Sequence, residues 1–448
     1  MSKTNVSIRS HRLDKVEIDK NFADLHPPLS RSEALIAADR CYFCYDAPCT
    51  TACPTGIDIP GFIQKIRSDN IRGSAHTILT ENIMGGMCAR VCPTEILCEE
   101  ACVRNTHEDK PVDIGLLQRY ATDPIFEDST QLFERSDASG KNVAVVGGGP
   151  AGLSCAHRLA TLGHTVKVFN RDSKLGGLNE YGIAAYKSVN DFAQREVDYI
   201  LSIGGIEVEN NVALGVDVTL ADLRKEYDAV FIGVGLGSVN SLGMDNEDLA
   251  SVENAIDYIA DIRQADDKSA LPVGRRVVVV GGGMTAIDVA VQSKRLGAER
   301  VDIVYRRGPE QMGASRFEQE LAQKSGVTIH HWVAPAGLAT DATGAVTVDF
   351  EKTELGDNGK LVGTGETFSL EADIVFKAIG QKLDNETTGD ALAELQFQGE
   401  RIVVDASQAT SLERVWAGGD CVVGGDDLTV SAVQHGKVAA IAIDRAIR

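Results

Sequence analysis

Val143-Ala-Val-Val146 runs into Gly147-Gly148-Gly149-Pro150-Ala151-Gly152 and then into a helical stretch through Leu159. A short aliphatic strand that turns through glycines into a helix aims backbone N–H groups and the positive helix end at a pyrophosphate. The same plan returns later as Val277-Val-Val-Val280, Gly281-Gly282-Gly283-Met284-Thr285-Ala286 and a second helical run. Alanine in the last place is an accepted variant of the pattern. Two copies, each in its strand-turn-helix setting, predict two dinucleotide-binding units. Strand and helix patterns alternate from there to the C-terminus, which predicts an α/β architecture with parallel sheets.

The strand after each loop indicates which nucleotide it holds. In the first unit, Thr165-Val-Lys-Val-Phe169 ends at Asn170, where this fold usually places an acid for the ribose hydroxyls. Leu175-Gly176-Gly177-Leu178 follows, and Val415-Trp-Ala-Gly-Gly419-Asp420 resembles the second flavin loop of two-dinucleotide flavoproteins, with Thr429 a further candidate contact. FAD is therefore expected at the first loop. In the second unit, Val301-Asp-Ile-Val-Tyr305 ends in Arg306-Arg307 with no acid. Guanidinium groups suit a 2′-phosphate, so a nicotinamide site leaning toward NADP is expected, with NAD still open. Lys187 is expected beside the flavin. Ala378-Ile379-Gly380 resembles the segment returning from the nicotinamide unit to the flavin unit. No side chain is assigned as a catalytic acid or base, because hydride transfer between nicotinamide and flavin depends on stacking and alignment.

Ahead of both loops lie eight of the chain's ten cysteines. They read Cys41-x2-Cys44-x4-Cys49-x3-Cys53 and Cys88-x3-Cys92-x5-Cys98-x3-Cys102, and proline follows Cys53 and Cys92. Thiolates at such spacings bring soft ligands to one point, and the Cys-Pro pairs favour iron-sulfur clusters over zinc. Helical spacing of apolar residues is visible over residues 32–40, 59–69 and 73–80. Residues 121–141 are poor in aliphatics and read as a linker. Cys155 and Cys421 read as small packed hydrophobes.

The 448 residues, 43% of them hydrophobic, suffice for about three domains, and a net charge of −21 argues against a broad nucleic-acid or anionic-membrane surface. The first twenty residues show no apolar signal core and no apolar run long enough to span a bilayer follows, so a cytoplasmic, reducing location is expected.

The stretches from Cys41 to Pro54 and from Cys88 to Cys102, with Asp113-Ile-Gly-Leu-Leu-Gln118, resemble the N-terminal half of dihydropyrimidine dehydrogenase. In bacteria that half is a separate, PreT-type subunit, and the glutamate synthase small subunit shares its plan. The resemblance covers nearly the whole chain, and Asp46-Ala-Pro-Cys49 tilts it toward the pyrimidine enzyme. It implies a helical iron-sulfur domain at 1–125, a linker at 126–140, a flavin domain at 141–250 and 373–448, and an NAD(P) domain inserted at 251–372. It implies one [4Fe-4S] cluster on Cys41, Cys44, Cys49 and Cys102. A second would take Cys53, Cys92, Cys98 and Gln118, leaving Cys88 a bystander, although Cys88 remains the alternative to Gln118. It also implies a PreA-like partner carrying FMN and iron-sulfur clusters, on which uracil or thymine and their 5,6-dihydro forms interconvert. The glutamate synthase subunit is the alternative reading.

Overall fold

The computed structural model describes all residues other than 1–6, 109, 129, 343, 385–387 and 389–390. The chain folds into two compact units, His26–Glu180 with Asn190–Ser238 and Lys382–Arg448, and Met1–Leu25 with Tyr181–Val189 and Val239–Gln381.

The larger unit begins with the helical region that carries the eight clustered cysteines. Three of its helices start where a short polar side chain satisfies orphan N–H groups. Ser30 and Glu33 form a reciprocal capping box at the head of Arg31–Asp39. Asp58 caps Ile59–Arg67, and Asn70 caps Ile71–Glu81. The inward faces carry Phe62, Ile63, Ile66, Ile78 and Leu117, all essentially inaccessible. Each such side chain contributes roughly 1.5–3 kcal/mol by leaving water.

Downstream in the same unit, five parallel strands lie in the order Val415–Ala417, Ala229–Ile232, Asn142–Val146, Thr165–Asn170, Ile206–Asn210. The helix Pro150–Thr161 and the C-terminal helix Thr429–Ile447 pack together over this sheet. The last strand of the sheet thus comes from the far end of the chain, which is why the flavin segment had to be read in two parts.

The smaller unit repeats the plan with Val252–Asn254, Ile374–Lys377, Arg276–Val280, Arg300–Tyr305 and Thr328–His331, all parallel. An antiparallel meander, Val333–Thr340, Val346–Leu355 and Leu361–Ala372, completes it.

Several boundaries differ from the sequence reading: residues 239–250 and 373–381, expected in the flavin domain, fall in the smaller unit. The helix Ile114–Glu127 runs well into the expected linker, because Ala121, Ile125 and Phe126 are buried and continue its apolar face. The N-terminal residues, expected in the iron-sulfur domain, belong to the smaller unit: Ile18 and Phe22 enter its core, and His11 N donates to Ser269 O at 2.7 Å. Residues 181–189 join that unit as well, through the fully buried Tyr186. Among the described residues no helix is long and apolar enough to cross a membrane.

Candidate functional site: two dinucleotide cradles and a set of thiols

Both glycine loops have the geometry their sequence requires. Gly147 sits at φ +102°, and a Cβ there would lie 2.2 Å from Gly233 O; Gly281 sits at φ +146°, with Ala378 O at 2.0 Å. Only glycine meets both demands. The closing position differs between the loops. A Cβ on Gly152 would fall 1.9 Å from Gly147 O, whereas the second loop accommodates Ala286 in its core.

The helices Pro150–Thr161 and Met284–Arg295 start at Gly149 and Gly283 without any side-chain cap, so their first N–H groups are left for a ligand. A Cβ on Gly283 would meet nothing within 4 Å, and one on Gly149 only Gly177 Cα at 3.8 Å. Backbone donors facing open space are what a pyrophosphate needs, so both cradles fit a dinucleotide. Met284 and Thr285 form the first turn at the second cradle, as Pro150 and Ala151 do at the first.

Around the first cradle, Gly177 approaches Gly149 and leads into the short helix Leu178–Tyr181. Thr429 Oγ1 donates to Asn179 Oδ1 at 2.6 Å, and Gly419 N donates to His435 Nδ1 at 3.2 Å, fixing the turn that presents Asp420. Burial, reinforced by Asp427, pushes the Asp420 carboxyl up to about 6. Asn170, the expected ribose contact, has a task within the loop itself. Its Oδ1 accepts from Gly148 N at 3.2 Å, while its Nδ2 donates to Asp172 O, Lys174 O and Asn210 Oδ1. The asparagine braces the glycine loop, and both ends of its amide are engaged in doing so.

Lys187 requires a correction. It lies in the smaller unit, its Nζ 2.7 Å from Asp288 Oδ1 and 2.8 Å from Glu318 Oε1, and is nearly inaccessible. Burial alone would lower its pKa, but the two carboxylates outweigh burial and hold the ammonium above its ordinary value. It is a structural ion triad beside the helix of the second cradle. Ala378-Ile379-Gly380 likewise belongs to the smaller unit: Ala378 N donates to Val280 O at 2.8 Å, and Asn240 Nδ2 to Ile379 O at 3.3 Å. Arg306 and Arg307 follow their strand with exposed side chains that carry no ion pair among the described residues.

In the helical region, Cys41, Cys44, Cys49 and Cys102 line one small cavity with Ile59, Ile63, Val112 and Ile114. Burial, opposed by a backbone N–H and reinforced by the Cys41 and Cys102 sulfurs, pushes the Cys49 thiol up to about 11. A hydrogen bond with Cys88 and the withdrawal of its sulfur from water raise the thiol of the half-buried Cys92, with Cys88, Cys98 and Cys53 adding repulsion. Cys53, Cys88 and Cys98 thus lie close enough to Cys92 to act on its sulfur. Gln118, buried on the helix Ile114–Glu127, donates through Nε2 to Gly85 O at 2.7 Å.

Among the described residues no three Cys, His, Asp or Glu side chains converge as they would on a single metal ion. Four sulfurs spread around a cavity suit a cluster, in which each thiolate holds a different iron. Thiols raised by burial and mutual repulsion also fit a cationic iron core, which relieves both. Cys155 and Cys421 are fully buried, apart from these sets.

Three buried groups had gone unnoticed in the sequence. Glu196 accepts from Gly86 N and Met87 N at 2.9 and 3.0 Å, heading the helix Gly85–Val91 that leads to Cys92. Asn179 holds Thr429. Lys437 reaches from the C-terminal helix to the loop after Cys53. Only Lys437 left a signal, a cation directly ahead of the apolar run Val438 to Ile443.

Residues 18–130 match the family model for dihydropyrimidine dehydrogenase domain II, 4Fe-4S cluster, and residues 141–436 that for pyridine nucleotide-disulphide oxidoreductase. The chain belongs to the pyridine nucleotide-disulphide oxidoreductase family. It carries the iron-sulfur domain as an N-terminal extension. It is 36% identical over 443 residues to the glutamate synthase [NADPH] small chain of Escherichia coli, covering 94% of this chain and 92% of that one. It is 34% identical over 425 residues to the NAD-dependent dihydropyrimidine dehydrogenase subunit PreT of Salmonella typhimurium, covering 95% and 97%. Among solved structures, Mycobacterium tuberculosis FprA in complex with NADPH superposes with a TM-score of 0.56 at 18% identity, covering 68% of this chain and 84% of that one. As a member of this oxidoreductase family the chain is an NAD(P)-dependent flavin and iron-sulfur enzyme, with FAD, [4Fe-4S] and NAD(P) as its cofactors.

Proposed function

We propose that this chain is the electron-input subunit of a bacterial dihydropyrimidine dehydrogenase. The carrying observation is the coexistence, in one chain, of two uncapped glycine cradles and a cavity lined by four thiols. FAD would lie against Gly147, Gly149, Pro150, Ala151, Gly152, Gly177, Leu178, Gly419, Asp420 and Thr429. The nicotinamide cofactor would lie against Gly283, Met284, Thr285 and Ala286, with Arg306 and Arg307 receiving a 2′-phosphate. One cluster would be held by Cys41, Cys44, Cys49 and Cys102, the other by Cys53, Cys92, Cys98 and Gln118. Flavin supplies the conversion of a two-electron hydride into single electrons. In balance, one reduced nicotinamide would be oxidised, two bound clusters would each accept one electron, and one proton would be released.

An FMN and iron-sulfur partner of PreA type is assigned the interconversion of uracil or thymine and the 5,6-dihydro forms, in the cytoplasm. The Asp46-Ala-Pro-Cys49 motif favours this reading. The identity to the glutamate synthase small chain supports the alternative, in which the partner uses glutamine and 2-oxoglutarate. The test is anaerobic capture of the tagged chain from its native cells, with NADPH and NADH oxidation followed with and without uracil. Uracil-dependent oxidation with a co-purifying FMN protein is expected. Oxidation that responds only to glutamine plus 2-oxoglutarate would refute the pyrimidine assignment.

A further inference from the structure

Gly436 and Lys437 are adjacent on the helix Thr429–Ile447, and they touch different functional parts of the same unit. Gly436 packs so closely on the first glycine loop that a Cβ there would lie 2.1 Å from Ala151 O. Lys437 turns the other way. Its Nζ donates to Thr55 O at 3.0 Å, to Glu81 O at 3.0 Å and to the Glu81 carboxylate at 2.8 Å. Thr55 in turn places its hydroxyl 3.3 Å from the Cys53 sulfur. Arg158, on the helix that follows the first loop, secures the same region by donating to Thr80 O at 2.6 Å. Two cations from the flavin-type fold thus bind the carbonyl end of the helix Ile71–Glu81, where the helix dipole favours positive charge.

A buried ammonium with all three donors satisfied costs much to desolvate, and its placement needs a reason beyond solubility. We propose that Lys437 is a positioning residue for electron transfer, fixing the Cys53 loop against the first dinucleotide loop and holding the potential of the cluster at Cys53, Cys92 and Cys98 within reach of the flavin. This rests on the cluster reading above. Two physical effects act together. The anchored Thr55 hydroxyl donates to a ligating thiolate, and hydrogen bonds to cluster sulfurs are among the levers on potential. Loss of the ammonium would also leave the Glu81 carboxylate uncompensated, which disfavours the reduced, more negative cluster.

The test uses the purified full chain under anaerobic conditions. Flavin bleaching by NADPH is followed by stopped-flow absorbance, and cluster reduction by freeze-quench and potentiometric EPR. In Lys437→Met the flavin should bleach within about twofold of wild type, while the EPR signal of one cluster appears about tenfold or more slowly, as for other losses of supporting hydrogen bonds. Its midpoint should move to more negative potential, and Lys437→Arg should restore most of it. Glu81→Gln, which leaves the bond to Thr55 intact, should have the smaller effect. If Lys437→Met loses iron on purification, Lys437→Gln carries the same expectation for the potential. An unchanged potential and cluster-reduction rate in the uncharged variant would overturn the proposal. A wild-type chain that binds flavin but shows no iron-sulfur signal would overturn the cluster reading, and this proposal with it.

Discussion

At the scale of single residues, the cradles make opposite demands at neighbouring glycines. Gly281 is conformationally obligatory, but Gly283 is not: a methyl group there meets only open space. Gly283→Ala is therefore expected to leave thermal unfolding within about 1 °C of wild type, by the usual smallness of unstrained substitutions, yet to raise the KM for the nicotinamide cofactor. Gly281→Ala should unfold earlier as well. Equal stability loss in both would mean that the space at Gly283 serves packing and not a ligand. The exposed side chains of Arg306 and Arg307 carry no ion pair among the described residues. Replacing both by Gln should raise the KM for NADPH by about tenfold or more, as expected for charge-assisted bonds worth roughly 1.5–3 kcal/mol, and leave NADH almost unchanged. Similar losses for both cofactors would exclude a 2′-phosphate contact.

At the scale of elements, two buried charged groups hold helices in place, and each has a testable signature. Lys187 neutralises Asp288 and Glu318; Lys187→Met should cost about 3–5 kcal/mol, as for broken buried pairs, measured by denaturant unfolding. A near-neutral result would mean water enters the site. Glu196 behaves differently. Burial outweighs the two N–H donors and Arg90, pushing its carboxyl up to about 8. Because its folded value lies above its unfolded one, the folded state holds the extra proton, and stability is lost as pH rises from about 4.5 toward 8. The amide of Glu196→Gln keeps the acceptor for Gly86 and Met87 without the charge. Its melting temperature relative to wild type should therefore climb between pH 5 and pH 8, and a flat difference would contradict the burial argument. The element scale is also where the sequence was least informative. Glycine loops, aliphatic strands and capped helices are local signals, and they mark the elements within a residue or two. Which unit a segment joins is decided by long-range packing, as when Ile18 and Phe22 enter a core built some 250 residues later in the chain. Lys187 was misplaced for the same reason: an isolated lysine gives no hint of the two carboxylates that meet it. Asn170 showed its departure from the usual acid, but not the four hydrogen bonds that explain it.

At the scale of the whole molecule, the architecture places thiol-bearing helices and a flavin-type cradle within one compact unit, and a nicotinamide-type cradle in another. The thiol spacings were legible because cluster ligands crowd into short loops. The completion of the second set was not, because Gln118 and Cys88 arrive on different helices. Changing Gln118 to Leu should remove or destabilise one cluster while Cys88→Ser retains both; the reverse pattern, read from iron content and EPR, would make Cys88 the ligand.

The central claim is that one chain takes two electrons from a nicotinamide and hands them singly to its own clusters. The most direct test is anaerobic titration of the purified chain with NADPH, with FAD, iron and acid-labile sulfide quantified per chain, the visible spectrum followed and EPR recorded at each step. The account predicts one FAD, iron and sulfide for two [4Fe-4S] clusters, and reduced-cluster signals that grow as the flavin absorbance bleaches. Flavin that bleaches fully while the clusters stay oxidised, or a chain whose cysteines hold zinc, would contradict it.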